Sequence, residues 1–265
     1  MAHTFTHDLQ FGATTVTKRF TSWERGEPAR EWQALQLLAG HAPGLAPAPV
    51  RADLSAVPPA VTMTRLAGIS LRGLALEPRH LEGMASALTT LHGCVPADVL
   101  RAIPPAPWNA ADAVVKARSL RAAAADLGDD PIVEQAFADG VRWLDAADLE
   151  GLAAEPVQPV FGLADGNLAN YLWDDPHVRM LDFEDSGRSD AAFELAELVE
   201  HLSARASALD GLLALVEVDD PARLRELRRL LAFTWLCFLE PGGPAHARNP
   251  AGTLRRQAER VLGLL

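Results

Sequence analysis

Apolar and polar positions alternate at the start of the chain, and the alternation predicts two short strands. Thr4 to Gln10 mixes β-branched, aromatic and polar residues. Phe11-Gly12-Ala13 reads as a turn, and Thr14 to Phe20 alternates again. The period then changes. Gly26-Glu27-Pro28 opens a helix that runs through REWQALQLLA to Gly40, with Trp32, Leu35 and Leu38 at helical spacing. After a proline-rich connection, Val50 to Leu54 and Ala60 to Leu66 read as strands, and Ala67-Gly68 ends the second. The rest is mainly helical, with helices predicted over 78–92, 110–127 and 132–152. A strand-like island interrupts them. Val160 to Ala164 is extended, 165–170 is a polar loop, and Tyr171 to Trp173 pairs with His177 to Leu181 around Asp174-Asp175-Pro176. Ser189 or Asp190 caps a helix to about Ala206, and further helices follow over 209–216, 221–239 and 249–264. The pattern predicts an α+β, two-lobed chain: a small antiparallel sheet with one helix over 1–66, and a helical lobe over 67–265.

Composition changes this picture in three places. At 265 residues the chain suits one large domain or two lobes, and 49% hydrophobic residues supply a sizeable core. A net charge of −11 argues against a nucleic-acid partner, which needs a basic face, and suits a cationic substrate. Cys94 and Cys237 stand far apart without a partner motif and read as reduced thiols of a cytoplasmic protein. No apolar run is long enough for a membrane span, and MAHTFTHDLQ lacks a signal pattern.

The chemistry concentrates in PVFGLADGNLANYLWDDPHVRMLDFEDSGRSD, residues 159–190. Asp165 and Asn170 share a loop between strands. Asp182 ends the apolar strand that a hairpin folds back beside them. Two carboxylates and an amide oxygen are hard donors suited to magnesium, and phosphoryl transfer uses such a set. The chain has four asparagines and two of them lie in this loop, which weighs against an ordinary turn. In the small lobe, Lys18 sits in the strand TVTKRF and is one of only two lysines. Glu31 follows on the next helix, and a strand lysine held by a helix glutamate can grip phosphates.

These residues together resemble the aminoglycoside phosphotransferase and choline kinase-like family of small-molecule kinases. Its pattern is H-G-D-x-x-x-x-N followed by D-F-E or D-x-D. Here Leu163-Ala164-Asp165-Gly166-Asn167-Leu168-Ala169-Asn170 precedes Asp182-Phe183-Glu184. The resemblance implies a protein-kinase-like fold and transfer of the ATP γ-phosphate, with GTP as the alternative donor and with Mg2+. The acceptor it implies is a hydroxyl of a small molecule, aminoglycoside-like or otherwise cationic. By the same resemblance Asp165 is the catalytic base, and Asn170 and Asp182 are the metal ligands. Lys18 holds phosphate and Glu31 positions it. Met63, Thr64, Arg65 and Leu66 form the hinge whose backbone binds adenine, and Asp190 braces the catalytic loop.

The chain departs from the family in two ways. Leu163 replaces the loop histidine, and Gly12 is the only glycine ahead of Lys18, which implies a reduced roof over the phosphates or an upstream start. A non-catalytic nucleotide-binding module on the same scaffold is therefore the alternative reading. The sequence assigns neither an acceptor nor an oligomeric state. Of the remaining features, His3 and His7 read as a solvated tail, and Glu194, Glu197 and Glu200 as the wet face of an amphipathic helix. Trp143, Phe193, Phe233 and Trp235 read as core aromatics.

Overall fold

The computed structural model describes residues 7–123, 129–241 and 244–265. Strands β1 (His7–Phe11) and β2 (Thr15–Phe20) form a hairpin. Helix α1 (Glu27–His41) follows, with Pro28 in its first turn and Glu31, Leu35 and Leu38 on its buried side. Strands β3 (Pro49–Asp53) and β4 (Ala60–Thr64) complete an antiparallel sheet of order β1-β2-β4-β3. In its register Lys18 lies between Leu9 on β1 and Val61 on β4.

The chain then passes through β5 (Ile69–Ser70), α2 (Pro78–Gly93) and α3 (Ala97–Leu100). A reciprocal cap between Glu77 and His80 fixes the start of α2. Helix α4 is Ala110–Ala123, and 124–127 of its predicted span, like 4–6 of the first predicted strand, lie outside the described residues. The helix expected over 132–152 is two helices, α5 (Pro131–Ala146) and α6 (Leu149–Ala153). Asp148 breaks it, because its side chain caps α6 by accepting the Gly151 N–H. Next come β6 (Val160–Gly162), β7 (Tyr171–Asp174), β8 (His177–Met180) and β9 (Gly187–Ser189). β6 pairs with β9 and β7 with β8, so two short ladders carry the loops between them.

Helix α7 is Ala191–Glu200, shorter than expected, because His201 caps a separate 3-10 turn over Leu202–Ala206. The stretch 209–214 is likewise 3-10. α8 (Pro221–Phe238), α9 (Pro244–Arg248) and α10 (Thr253–Leu264) close the chain; α10 starts later than the helix expected over 249–264, and α9 was not expected. One apolar cluster runs from the sheet (Phe20, Val61, Met63) through α1 and α2 to Leu163, Leu168 and Phe183, so the sheet and the loops beneath it share a core. A second joins α4, α5, α8 and α10 around Phe193 and Phe233. Trp143 and Trp235 pack at its edge, half-buried. Cys237 is buried, Cys94 half-buried, and both are free thiols. Among the described residues, no helix is long and apolar enough to cross a membrane.

Candidate active site

Side chains alternate across a strand, so one face of β1 presents His7, Leu9 and Phe11, and β2 adds Val16 and Lys18. These five residues roof a cleft of about 420 Å³, a volume within the range of roughly 300–1,000 Å³ for small-molecule sites. Met63 to Leu66 line its back, while Ala169, Asn170, Leu172, Leu181 and Asp182 form its floor. The cleft is graded. Leu9, Phe11, Val16, Met63, Leu66, Leu172 and Leu181 make one part apolar, and His7, Lys18, Glu31, Asn170 and Asp182 make the other polar.

Lys18 is the centre of the polar part, at 3% exposure. Its Nζ donates to Glu31 Oε2 at 3.2 Å and to Asp182 Oδ1, and lies 2.8 Å from Glu184 Oε2. Burial alone would lower the ammonium's pKa. Glu31, Asp182 and Glu184 outweigh it, so the group stays charged, held well above its usual value.

The loop after β6 gives the floor its Ala169 and Asn170. Asp165 Oδ1 accepts the Asn167 N–H at 2.9 Å, and Asn170 Nδ2 donates to Asp165 Oδ2 at 2.7 Å. The Leu181 N–H donates to the Asn170 carbonyl at 2.8 Å, tying this loop to the strand that delivers Asp182. Asp165, Asn170 and Asp182 therefore converge, as their spacing predicted. Burial, with Asp182 adding, pushes the Asp165 carboxyl up to about 6 against the two donors. Asp182 has φ 64° and the residue before Asp165, Ala164, has φ 56°. Left-handed non-glycine residues at both places are costly and persist only where the surroundings over-determine them.

Glu194 supplies much of that determination. From α7, its Oε2 accepts the Leu163 and Ala164 N–H groups at 3.0 and 3.1 Å. Its Oε1 accepts the Ser189 hydroxyl at 2.5 Å. Gly162 and Gly166 allow the loop this approach: a Cβ at Gly162 would run into the Glu194 carboxylate, and one at Gly166 into the Glu197 carbonyl.

Three sequence expectations are corrected here. Asp190 makes no hydrogen bond to the loop among the described residues: it caps α7 through the Ala192 N–H and pairs with Arg223 at 2.6 Å, and Glu194 is the brace. Glu194, Glu197 and Glu200 are not a wet face. All three are buried, because α7 packs beneath the loop on one side and against α8 on the other. Glu200, fully buried, accepts from Arg228 and Arg260, and burial pushes the Glu197 carboxyl up to about 8. His7 is no solvated tail; it lines the cleft with its Nδ1 3.9 Å from Glu184 Oε2. Sequence reasoning passed over His7 in the cleft and Glu184 beside Lys18, and the signal for His7 was its alternation with Leu9 and Phe11.

Along Met63–Leu66, the expected hinge, the Thr64 N–H donates to the Ala48 carbonyl and the Arg65 N–H to the Thr14 carbonyl. Both amides are engaged within the protein, and Leu66 follows them into the cleft.

With this geometry in hand, the chain can be set beside known proteins. The profile of the phosphotransferase enzyme family matches residues 5–227. The chain belongs to that family. No curated relative matches the phosphotransferase by sequence. Among solved structures it is similar to a choline/ethanolamine kinase family protein from Mesorhizobium loti, with 16% identity, a TM-score of 0.62, and 99% of this chain and 85% of that one covered. A spectinomycin phosphotransferase in complex with ADP and spectinomycin gives 10% identity and a TM-score of 0.62 over 98% and 85% of the two chains. The GDP complex of an aminoglycoside 2'-phosphotransferase gives 15% and 0.64 over 100% and 89%. At these identities the likeness shows the fold: the phosphotransferase has the α+β, bilobal, protein-kinase-like architecture.

Proposed function

We propose that this phosphotransferase moves the γ-phosphate of ATP, with magnesium, to a hydroxyl of a small molecule. One observation carries the reading: a buried lysine held by three carboxylates shares the polar part of a cleft with Asn170, whose amide holds Asp165, and the cleft's other part is apolar. The apolar part suits a nucleobase, with the Leu66 N–H as the hinge donor. The Lys18 ammonium supplies a compact charge for the α- and β-phosphates, and Glu31 holds it in place.

The donor set fits magnesium. Asn170 spends its Nδ2 on Asp165, which leaves its Oδ1 to pair with the Asp182 carboxylate as hard oxygen ligands. Held by these two side chains, the ion would supply positive charge against the phosphates. Asp165 does the proton work. The acceptor hydroxyl oxygen attacks the γ-phosphorus, the bond to the departing diphosphate breaks, and the hydroxyl proton passes to the Asp165 carboxylate. With its pKa raised to about 6, Asp165 is ionised at pH 7 yet more basic than an ordinary aspartate. The acidic chain and the choline-kinase and spectinomycin-phosphotransferase neighbours favour a cationic hydroxylated acceptor.

The test is magnesium-dependent nucleoside diphosphate release over a panel of such acceptors. Asp165→Asn is expected to lower kcat by roughly 10²–10⁴-fold while nucleotide affinity stays within about twofold. In the wild type, kcat/KM rises with pH through about 6 and then levels, because the base must be deprotonated. Unchanged turnover in Asp165→Asn refutes the assignment. Equal nucleotide binding with no turnover in either form establishes the non-catalytic module instead.

A further inference from the structure

We propose that His7 is a specificity residue that distinguishes a nucleoside triphosphate from shorter nucleotides, its imidazole donating a hydrogen bond to the terminal phosphate. The inference rests on the kinase reading above and starts from the direction of the roof hairpin. The turn between β1 and β2 lies at the hinge, where the Thr14 carbonyl accepts the Arg65 N–H. The strands run away from the hinge toward Lys18 and His7, so that turn cannot cover the phosphates. From β1 they must be covered by its entry, and the described residue there is His7.

The face of β1 turned to the cleft reads His7, Leu9, Phe11, polar over the phosphate end and apolar over the base end. Leu9 and Phe11 are 48% and 62% exposed, large for apolar side chains on a five-residue strand, and a nucleobase beneath them accounts for that face. Four steps of about 3.3 Å separate His7 from Phe11, so the face spans about 13 Å, the scale of an extended nucleoside triphosphate. At its polar end, one ligand atom each from His7, Asp182 and Glu184 lies within 4.8 Å of the others. His7 thus stands over the point where Lys18 and Asp182 meet, at the phosphate end of the cleft. It is the polar side chain that this face of β1 offers there, among the described residues.

The experiment is calorimetric titration of the full chain with ATP, ADP and AMP in magnesium, comparing wild type, His7→Ala and His7→Gln. His7→Ala is expected to weaken ATP by about tenfold or more, the usual scale for a hydrogen bond to a charged group, and AMP by less than twofold. His7→Gln, which keeps an N–H donor, retains ATP affinity within about threefold of wild type. Equal weakening of ATP and AMP by His7→Ala overturns the proposal, since His7 then only shapes the roof. So does an ATP loss that disappears when EDTA replaces magnesium, since the imidazole then acts on the cation. A wild type that binds nucleotide with a silent His7→Ala sinks this inference alone, whereas a wild type that binds no nucleotide sinks the kinase reading with it.

Discussion

Replacing Glu194 tests whether the Asp165 loop is held by α7. Its carboxylate accepts three hydrogen bonds, from the Leu163 and Ala164 amides and the Ser189 hydroxyl. Glu194→Ala strands two buried N–H groups beside the left-handed Ala164 and opens a small cavity. Hydrogen bonds to a charged acceptor are worth about 1.5–3 kcal/mol each and are not additive, so the loss should be on the order of 3–5 kcal/mol. That is a fall of roughly 10 °C in melting temperature for a chain of this size. Glu194→Gln should behave differently. Its carbonyl oxygen can keep both loop amides while its amide donates to Ser189 Oγ, and the cost is about 1 kcal/mol. Urea denaturation measures both values, and steady-state kinetics adds a second reading. In Glu194→Ala kcat should fall about 10²-fold through misplacement of Asp165, with nucleotide affinity held by the separate Lys18 cluster. If Glu194→Gln is as damaging as Glu194→Ala, charge rather than loop geometry is what matters. If Glu194→Ala costs under about 1 kcal/mol with kcat intact, the bracing role is wrong.

Two further outcomes follow from the same helix. Gly166→Ala drives a Cβ into the Glu197 carbonyl and should cost about 2–3 kcal/mol in chemical denaturation, whereas Gly40→Ala, in open space on α1, should stabilise by up to about 1 kcal/mol. Comparable effects at the two glycines would refute the close-approach argument. The Glu197 carboxyl keeps its proton to about pH 8 in the folded chain, and to about 4.3 when unfolded. Between those values the native state binds more protons, so this group's contribution to stability falls as pH rises through that window. Glu197→Gln should match wild type near pH 4 and exceed it by a few kcal/mol above pH 8. A difference in melting temperature that stays constant with pH would count against it.

Much of the site was legible in the sequence because its parts are local. Asp165 and Asn170 share one loop, Asp182 ends the next hairpin, and the register of such short ladders leaves little freedom in where they meet. Lys18 and Glu31 were legible for a related reason, since a strand followed directly by a helix must pack one on the other. The sheet, α1, α2 and α8 were likewise visible in alternation, helical spacing and terminal prolines. What the sequence could not decide was which way a patterned face would turn. Glu194, Glu197 and Glu200 fall every third residue, and periodicity says only that they lie close together on α7. The partners of Glu194 are Leu163, Ala164 and Ser189, and those of Glu200 are Arg228 and Arg260. Most of these lie far along the chain, so only the packing of α7 between the loop and α8 shows the carboxylates to be buried. The same limit separated Asp190 from Glu194 as the brace, and left His7 unread until β1 closed over the cleft. Period and spacing are properties of one segment, whereas burial belongs to the segment and everything packed against it, and that is fixed only when the chain folds.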